Sequence, residues 1–198
     1  MKKRFVESLP LVFLSLLFMS CPLDGNGIIG SAFAIRLERE VVEEINFART
    51  QPKEYVKARL QPYVDAGKAS DAMNECINKM KGMQPLKPLQ VAAGLTLTAR
   101  EWVALQGPSE YIGHDMNFPV RLLKYGYYSG WRGENISYGY NDAKTIVITL
   151  LEDKNVSDRE HRKNILDPRF AYIGVGFGPH KKYGYMCVQD FTGWYKDK

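Results

Sequence analysis

The chain has 198 residues, 45% of them hydrophobic and 25% charged, a balance that suits one globular domain and excludes a disordered or fibrous chain. Its 27 basic residues are offset by 22 acidic ones, so the net charge of +5 describes a mixed surface and nucleic acid is not an expected partner. Three cysteines is an odd number for an exported domain, where thiols usually pair.

Lys2, Lys3 and Arg4 precede an apolar run at 9–19 (LPLVFLSLLFM). A spanning helix needs about 20 apolar residues, so this shorter run reads as the core of an export signal. Two processing sites follow. Phe18-Met19-Ser20-Cys21 resembles a lipobox, with Phe18 where Leu is usual, in which Cys21 is acylated and becomes the N-terminus. Ala32-Phe33-Ala34 offers a small-x-small site that would free a chain starting at Ile35. Cys21 directly follows the apolar run whereas Ala34 lies 15 residues beyond Met19, so position favours the lipobox. Residues 1–34 are therefore expected to be an export signal and glycine-containing tether, and residues 35–198 a single domain. If Cys21 is acylated, the protein meets the membrane through that N-terminal lipid.

From Glu38 the pattern is helical, with Val41, Val42, Ile45 and Ala48 on one face and Glu43, Glu44 and Arg49 on the other. Pro52 ends or kinks this helix, and a second helical stretch is expected over 53–60. Residues 69–83 carry Met73, Cys76, Ile77 and Met80 at helical spacing, after which Pro85 and Pro88 force an extended link. A helix is expected over 89–106, with Leu95, Ala99, Trp102, Val103 and Gln106 inward. Residues 107–139 are rich in Gly, Pro, Tyr and polar side chains and read as loop, with a short helix near 120–124; loops of this kind often build sites. Residues 143–151 predict a buried helix. The last third predicts strands at 172–177 and 183–191 joined by a turn over 178–182. Helices followed by a terminal hairpin define an α+β layered domain.

All three histidines lie late, at His114, His161 and His180. Beside them stand Gly113-His114-Asp115, Gly133-Glu134-Asn135-Ile136 and Glu160-His161-Arg162-Lys163-Asn164-Ile165-Leu166. Imidazole and carboxylate bind divalent metals or move protons near neutral pH. HExxH and HxxEH are absent, Ser129 lacks GxSxG spacing, and Gly174-Val175-Gly176-Phe177-Gly178 lacks GxGxxG spacing. A Cys187 nucleophile served by His180 is formally available, against the alternative of a buried strand cysteine or disulfide partner.

Read in order, EINFAR at 44–49, PLKPLQVAAGLTLTA at 85–99, GHD at 113–115, GENISYG at 133–139, HRKNIL at 161–166 and YIGVGFG at 172–178 resemble the CAP superfamily (SCP/TAPS, PR-1-like) in its bacterial secreted form. The resemblance spans residues 38–193 and implies a three-layer α-β-α sandwich with a cleft lined by two histidines and two acids. Carried over by position, the histidines are His114 and His161 and the acid of GEN is Glu134. The remaining acid falls at Asp153, with Glu152 beside it, where Leu150 replaces the family's Trp and Asp its Glu.

Such a set would hold a divalent ion, zinc above all, or form carboxylate–imidazole pairs without metal. Arg132 could neutralise Glu134. Tyr138 and Tyr140 are the aromatic residues expected to reach the cleft and touch a ligand, among the tyrosines and Trp131 that crowd this region. The resemblance implies sterol or lipid binding, or partnership with a host or envelope protein; a metal-dependent hydrolase is the alternative. With Cys21 removed or acylated, Cys76 and Cys187 remain as a possible helix-to-strand disulfide.

Overall fold

The computed structural model describes residues 31–198; Cys21 and the apolar run lie outside them. Helix α1 (Ala32–Thr50) begins ahead of Glu38 because Ser31 Oγ accepts the Ala34 N–H at 3.1 Å and caps it. Its inner stripe is Leu37, Val41, Val42, Ile45 and Ala48, all buried. The expected second helix is α2 (Pro52–Tyr55), a π-helical turn (Val56–Leu60) and α3 (Gln61–Asp65) in succession. Helix α4 (Asp71–Lys81), capped by Ser70, buries Met73, Cys76, Ile77 and Met80 as their spacing predicted. A two-residue strand β1 (Gln90–Val91) then leads into α5 (Ala93–Gln106).

The largest departure from the sequence reading lies in the stretch read as loop. It contains α6 (Phe118–Tyr125) and a 13-residue strand, β2 (Gly126–Tyr138). Helix α7 (Ala143–Glu152), capped by Asp142, and α8 (Glu160–Ile165) follow, then β3 (Tyr172–His180) and β4 (Gly184–Asp197). The sheet order is β1-β3-β4-β2, with β1 parallel to β3 and the other pairs antiparallel, so β2 is an outer strand. Its gapped polar pattern hid it, because it is held by backbone pairing to β4 and not by an alternating apolar face.

Strand β3 separates the layers. Ile173, Val175 and Phe177 point into the main core with α1, α4 and α7. Gly174 and Gly176 point the other way, and a Cβ on either would collide with the backbone of α5 at Leu95–Thr96 or Ala99–Arg100. Glycine at alternate positions thus lets α5 lie directly on the strand. Ala99 and Val103 of α5 meet Ile136, Met186 and Val188 in a second, smaller core. Helices stand on both faces of one sheet, the expected α-β-α order.

Motif residues tie these layers by their backbones. Arg49, fully buried, donates to the carbonyls of Lys87 (3.2 Å), Ile165 (2.8 Å), Asp167 (2.9 Å) and Phe170 (3.1 Å). Burial lowers its pKa to about 10, against the opposing pull of Asp167. Asn46 clasps Leu89 in both directions, accepting its N–H at 2.7 Å and donating to its carbonyl at 3.0 Å. Arg162 donates to the carbonyls of Ala72, Leu151 and Glu152.

The expected disulfide is not formed: Cys76 and Cys187 are both free and buried. Cys76 lies on α4 with its Sγ 3.7 Å from Met80 Sδ, whereas Cys187 lies within the sheet, opposite Phe177 on one side and Ser137 on the other. Helix α4 packs on α7 and the π-helical turn, an outer position relative to the sheet. Burial pushes the Cys76 thiol up to about 11 and raises that of Cys187 as well, so both are inert thiols and no Cys187–His180 nucleophile exists.

Candidate functional site

The four expected residues form two pairs. His114 Nδ1 lies 2.8 Å from Glu134 Oε1, and His161 Nδ1 lies 2.8 Å from Asp153 Oδ1. Glu134 is on the α5 side of β2 with Ile136. Asn135, one residue on, points to the other side, where it donates to the His161 carbonyl at 3.2 Å. The four residues thus form two separate imidazole–carboxylate pairs.

Asp153, not Glu152, is the acid that meets His161; Glu152 accepts from Ser70 Oγ at 2.5 Å. Asp153 closes α7 in the left-handed region, at φ 52°, where a short acidic side chain is better tolerated than Glu. From there Oδ2 accepts the backbone N–H groups of His161 (2.9 Å) and Arg162 (3.3 Å), capping α8.

Glu134 is held from behind by Arg121, a residue that no motif or spacing along the chain singles out. Arg121 is buried and its Nη2 donates to Glu134 Oε2. The same guanidinium bonds Asp115 Oδ2 at 3.0 Å and the Thr98 carbonyl at 2.5 Å, lies 3.5 Å from Asp190 Oδ2, and packs against the rings of Trp102 and Phe118. Arg132, expected in this role, lies over Tyr128 instead. One guanidinium thus faces three carboxyls. Burial drives the Asp190 carboxyl well above the ordinary range, Arg121 opposes this and the Glu134 charge adds to it. At the open end, the hydrogen bond to Glu134 raises the His114 pKa.

An open cleft of about 730 Å³ lies against the outer edge of β2. His114, Glu134, Trp131, Arg132, Glu160 and Asn164 are among its lining residues; His161 and Asp153 are not. His114 is 58% exposed at its side chain while Glu134 beneath it is 3% exposed, so the imidazole is the pair's accessible member. Tyr138 and Tyr140 also fall off the cleft. The Tyr138 hydroxyl donates to Gln106 and accepts from the Gly113 N–H, which anchors the loop carrying His114. Tyr140 is surface-exposed, and the aromatic residues that do line the cleft are Phe118 and Trp131. His180 is a turn residue: Nδ1 accepts from the backbone of Lys182 and Tyr183, and Nε2 donates to the Tyr111 carbonyl.

These positions do not fit the four-ligand divalent centre. Both oxygens of Glu134 are engaged by His114 and Arg121, and both of Asp153 by His161 and the α8 backbone. Among the described residues no group of three or more His, Cys, Asp or Glu side chains is disposed to hold a metal ion. In metal sites a carboxylate on one imidazole nitrogen usually orients the ring instead of binding the ion. That is the geometry of both pairs here.

An α-β-α sandwich whose GEN glutamate and GHD histidine meet at the edge of the sheet defines a class, and comparison with known proteins agrees. Residues 45–191 match CAP, the cysteine-rich secretory protein family, and the chain belongs to that family. It is 31% identical over 123 residues to the uncharacterized protein YkwD of Bacillus subtilis, a match covering 60% of this chain and 45% of that one. Among solved structures it is similar to a cysteine-rich secretory protein from Staphylococcus aureus (16% identity, 87% of this chain and 40% of that one, TM-score 0.49). It is also similar to an extracellular protein containing an SCP domain from Bacillus anthracis (23% identity, 54% and 34%, TM-score 0.42). The chain spans less than half the length of each of these relatives.

Proposed function

We propose that this is an exported bacterial envelope protein, lipid-anchored through Cys21, whose CAP domain captures a polar ligand in the cleft at the edge of β2. The observation that carries the reading is the His114–Glu134 pair: an accessible imidazole at the cleft wall, oriented and charge-supported from beneath by a buried carboxylate and Arg121.

Export is supported by the basic and apolar N-terminal pattern and by the secretory description of the family. Anchoring at Cys21 is favoured over cleavage after Ala34 because Ala32–Ala34 belong to the first turn of α1. There Ala34 is fully buried and Phe33 meets Phe177 edge-on at 5.9 Å, so cleavage would remove core contacts.

Two measurements test the reading. Full-length chain produced in a bacterial host with lipoprotein processing should incorporate an alkynyl fatty acid, and Cys21→Ser should not; an unlabelled mature chain starting at Ile35 would overturn the anchor. Zinc titration of the purified protein should show no tight uptake shared by both pairs. Stoichiometric uptake lost in Glu134→Gln and in Asp153→Asn alike would restore the metal centre. A second reading, hydrolysis with His114 as general base toward water, rests on the same pair and would be seen as turnover that disappears in His114→Gln.

A further inference from the structure

We propose that the ligand of this cleft is an acidic saccharide, with a sugar ring stacked on Trp131 and its carboxylate on Arg132. The inference rests on the reading of the cleft as a polar-ligand site and names the ligand class.

Trp131 is 56% exposed on the cleft wall, unusual for so large an apolar side chain in a folded domain. It is braced: the Arg169 guanidinium lies 3.7 Å from its ring centroid and is itself tied to Asp167 by bonds of 2.5 to 3.0 Å. The Arg169 cation thus covers one face of an indole that is 56% exposed. The apolar CH face of a pyranose suits such a platform, and a ring already held in place loses little entropy on binding.

Arg132 supplies the charge. The other arginines near the cleft have carboxylate partners, Arg121 on Glu134 and Asp115 and Arg169 on Asp167. Among the described residues Arg132 forms no ion pair, and its recorded interaction is with the Tyr128 ring at 5.7 Å. A planar guanidinium without a carboxylate matches a ligand carboxylate in bidentate fashion. Across the cleft, Glu160 Oε2 and Asn164 Oδ1 are positioned to accept from hydroxyl groups, since Lys163 holds Glu160 Oε1 and the Asn164 amide N–H groups donate to the Glu134 carbonyl and Asn135 Oδ1.

Other ligand classes fit less well. Strand addition by a peptide needs a regular open edge, but β2 changes register between Ser129 and Arg132, and Asn164 of α8 closes on Gly133. A polyanion would meet Asp115, Glu134 and Glu160 in the same walls. A single carboxylate on a hydroxyl-rich ligand avoids that repulsion.

The test is NMR titration of the processed protein, ¹⁵N-labelled, with a neutral-sugar trimer that carries one terminal galacturonate as its single carboxylate and with the same trimer methyl-esterified. The expected result is movement of the Trp131 indole and His114 resonances by both probes, with the acid binding at least about tenfold more tightly, the range of a single charge-assisted contact. Arg132→Gln should reduce the acid to the level of the ester, and Trp131→Ala should abolish both; both side chains are exposed, so neither change threatens folding. Equal affinity for acid and ester, or no effect of Arg132→Gln, would overturn the acidic-saccharide assignment while leaving the polar cleft intact. If both trimers are silent and adenosine monophosphate or an acidic tripeptide moves the same resonances, the ligand class is wrong and the cleft stands. If none of these probes moves either resonance, the assignment and the cleft reading fall together.

Discussion

Glu134 has two partners of opposite consequence: the imidazole it charges and the guanidinium that holds it. Replacing it by Gln removes the charge that raises His114 and leaves burial and the Arg121 charge, which both lower it, so in Glu134→Gln the imidazole should titrate below its ordinary value of about 6.5. NMR titration of the His114 ring checks this, and an unchanged titration would mean that Glu134 does not set it. Asp190 predicts a stability profile. Its native carboxyl keeps a proton that the unfolded chain gives up near pH 4, so over that window the native state binds more protons and stability falls as pH rises. Each such proton contributes at most about 1.4 kcal/mol per pH unit. His114, also raised, acts in the same direction above about pH 6.5. Asp190→Asn should flatten the decline in urea midpoint that sets in above about pH 4, leaving the His114 part above about pH 6.5. A slope equal to wild type would exclude Asp190 as its source.

The elements show which motif residues are structural. In YIGVGFG the glycines are steric and the residues between them are core, so Gly174→Ala should force α5 away from β3. Overpacking against backbone predicts a loss of about 3 kcal/mol in urea unfolding, and a loss under about 0.5 kcal/mol would show that α5 can shift freely. EINFAR ends in a side chain that satisfies four carbonyls from two segments. Arg49→Lys should still cost about 3 kcal/mol, because an ammonium on a flexible stem cannot reproduce the planar fork and leaves buried carbonyls unpaired. A midpoint within error of wild type would refute the tie. These two stretches were legible as pattern, but the partners that give them meaning lie more than 30 residues away.

At the scale of the molecule, the cleft exists because the sheet ends at β2. An inner strand would have a neighbour where the ligand enters; the outer one leaves its edge to the 113–118 loop on one side and α8 on the other. Glu134 of β2 meets His114 of the preceding loop, while Asp153 at the end of α7 meets His161 of α8. His114 with Glu134 becomes the accessible pair. His161 with Asp153 becomes the joint between α7 and α8, and its imidazole is 20% exposed against 58% for His114. Both cysteines lie in the main core, Cys76 on α4 and Cys187 on β4, and neither is crosslinked.

The sequence by itself determined the helices with strong apolar stripes and the terminal hairpin, and through its ordered family motifs the α-β-α class and the positions of the two histidines and two acids. Each depends on local spacing or on ordered motifs along the chain. It could not reveal β2, whose stability comes from hydrogen bonds to β4 and whose side chains carry no simple alternation. Nor could it reveal Arg121 and Asp190, because a buried charge is meaningful only beside the partners that folding delivers from α5, β2 and β4. Tertiary structure also decided that four residues expected to share one ion form two separate pairs. Each imidazole meets the carboxylate that folding sets beside it, His114 from its loop against β2 and His161 from α8 against the end of α7.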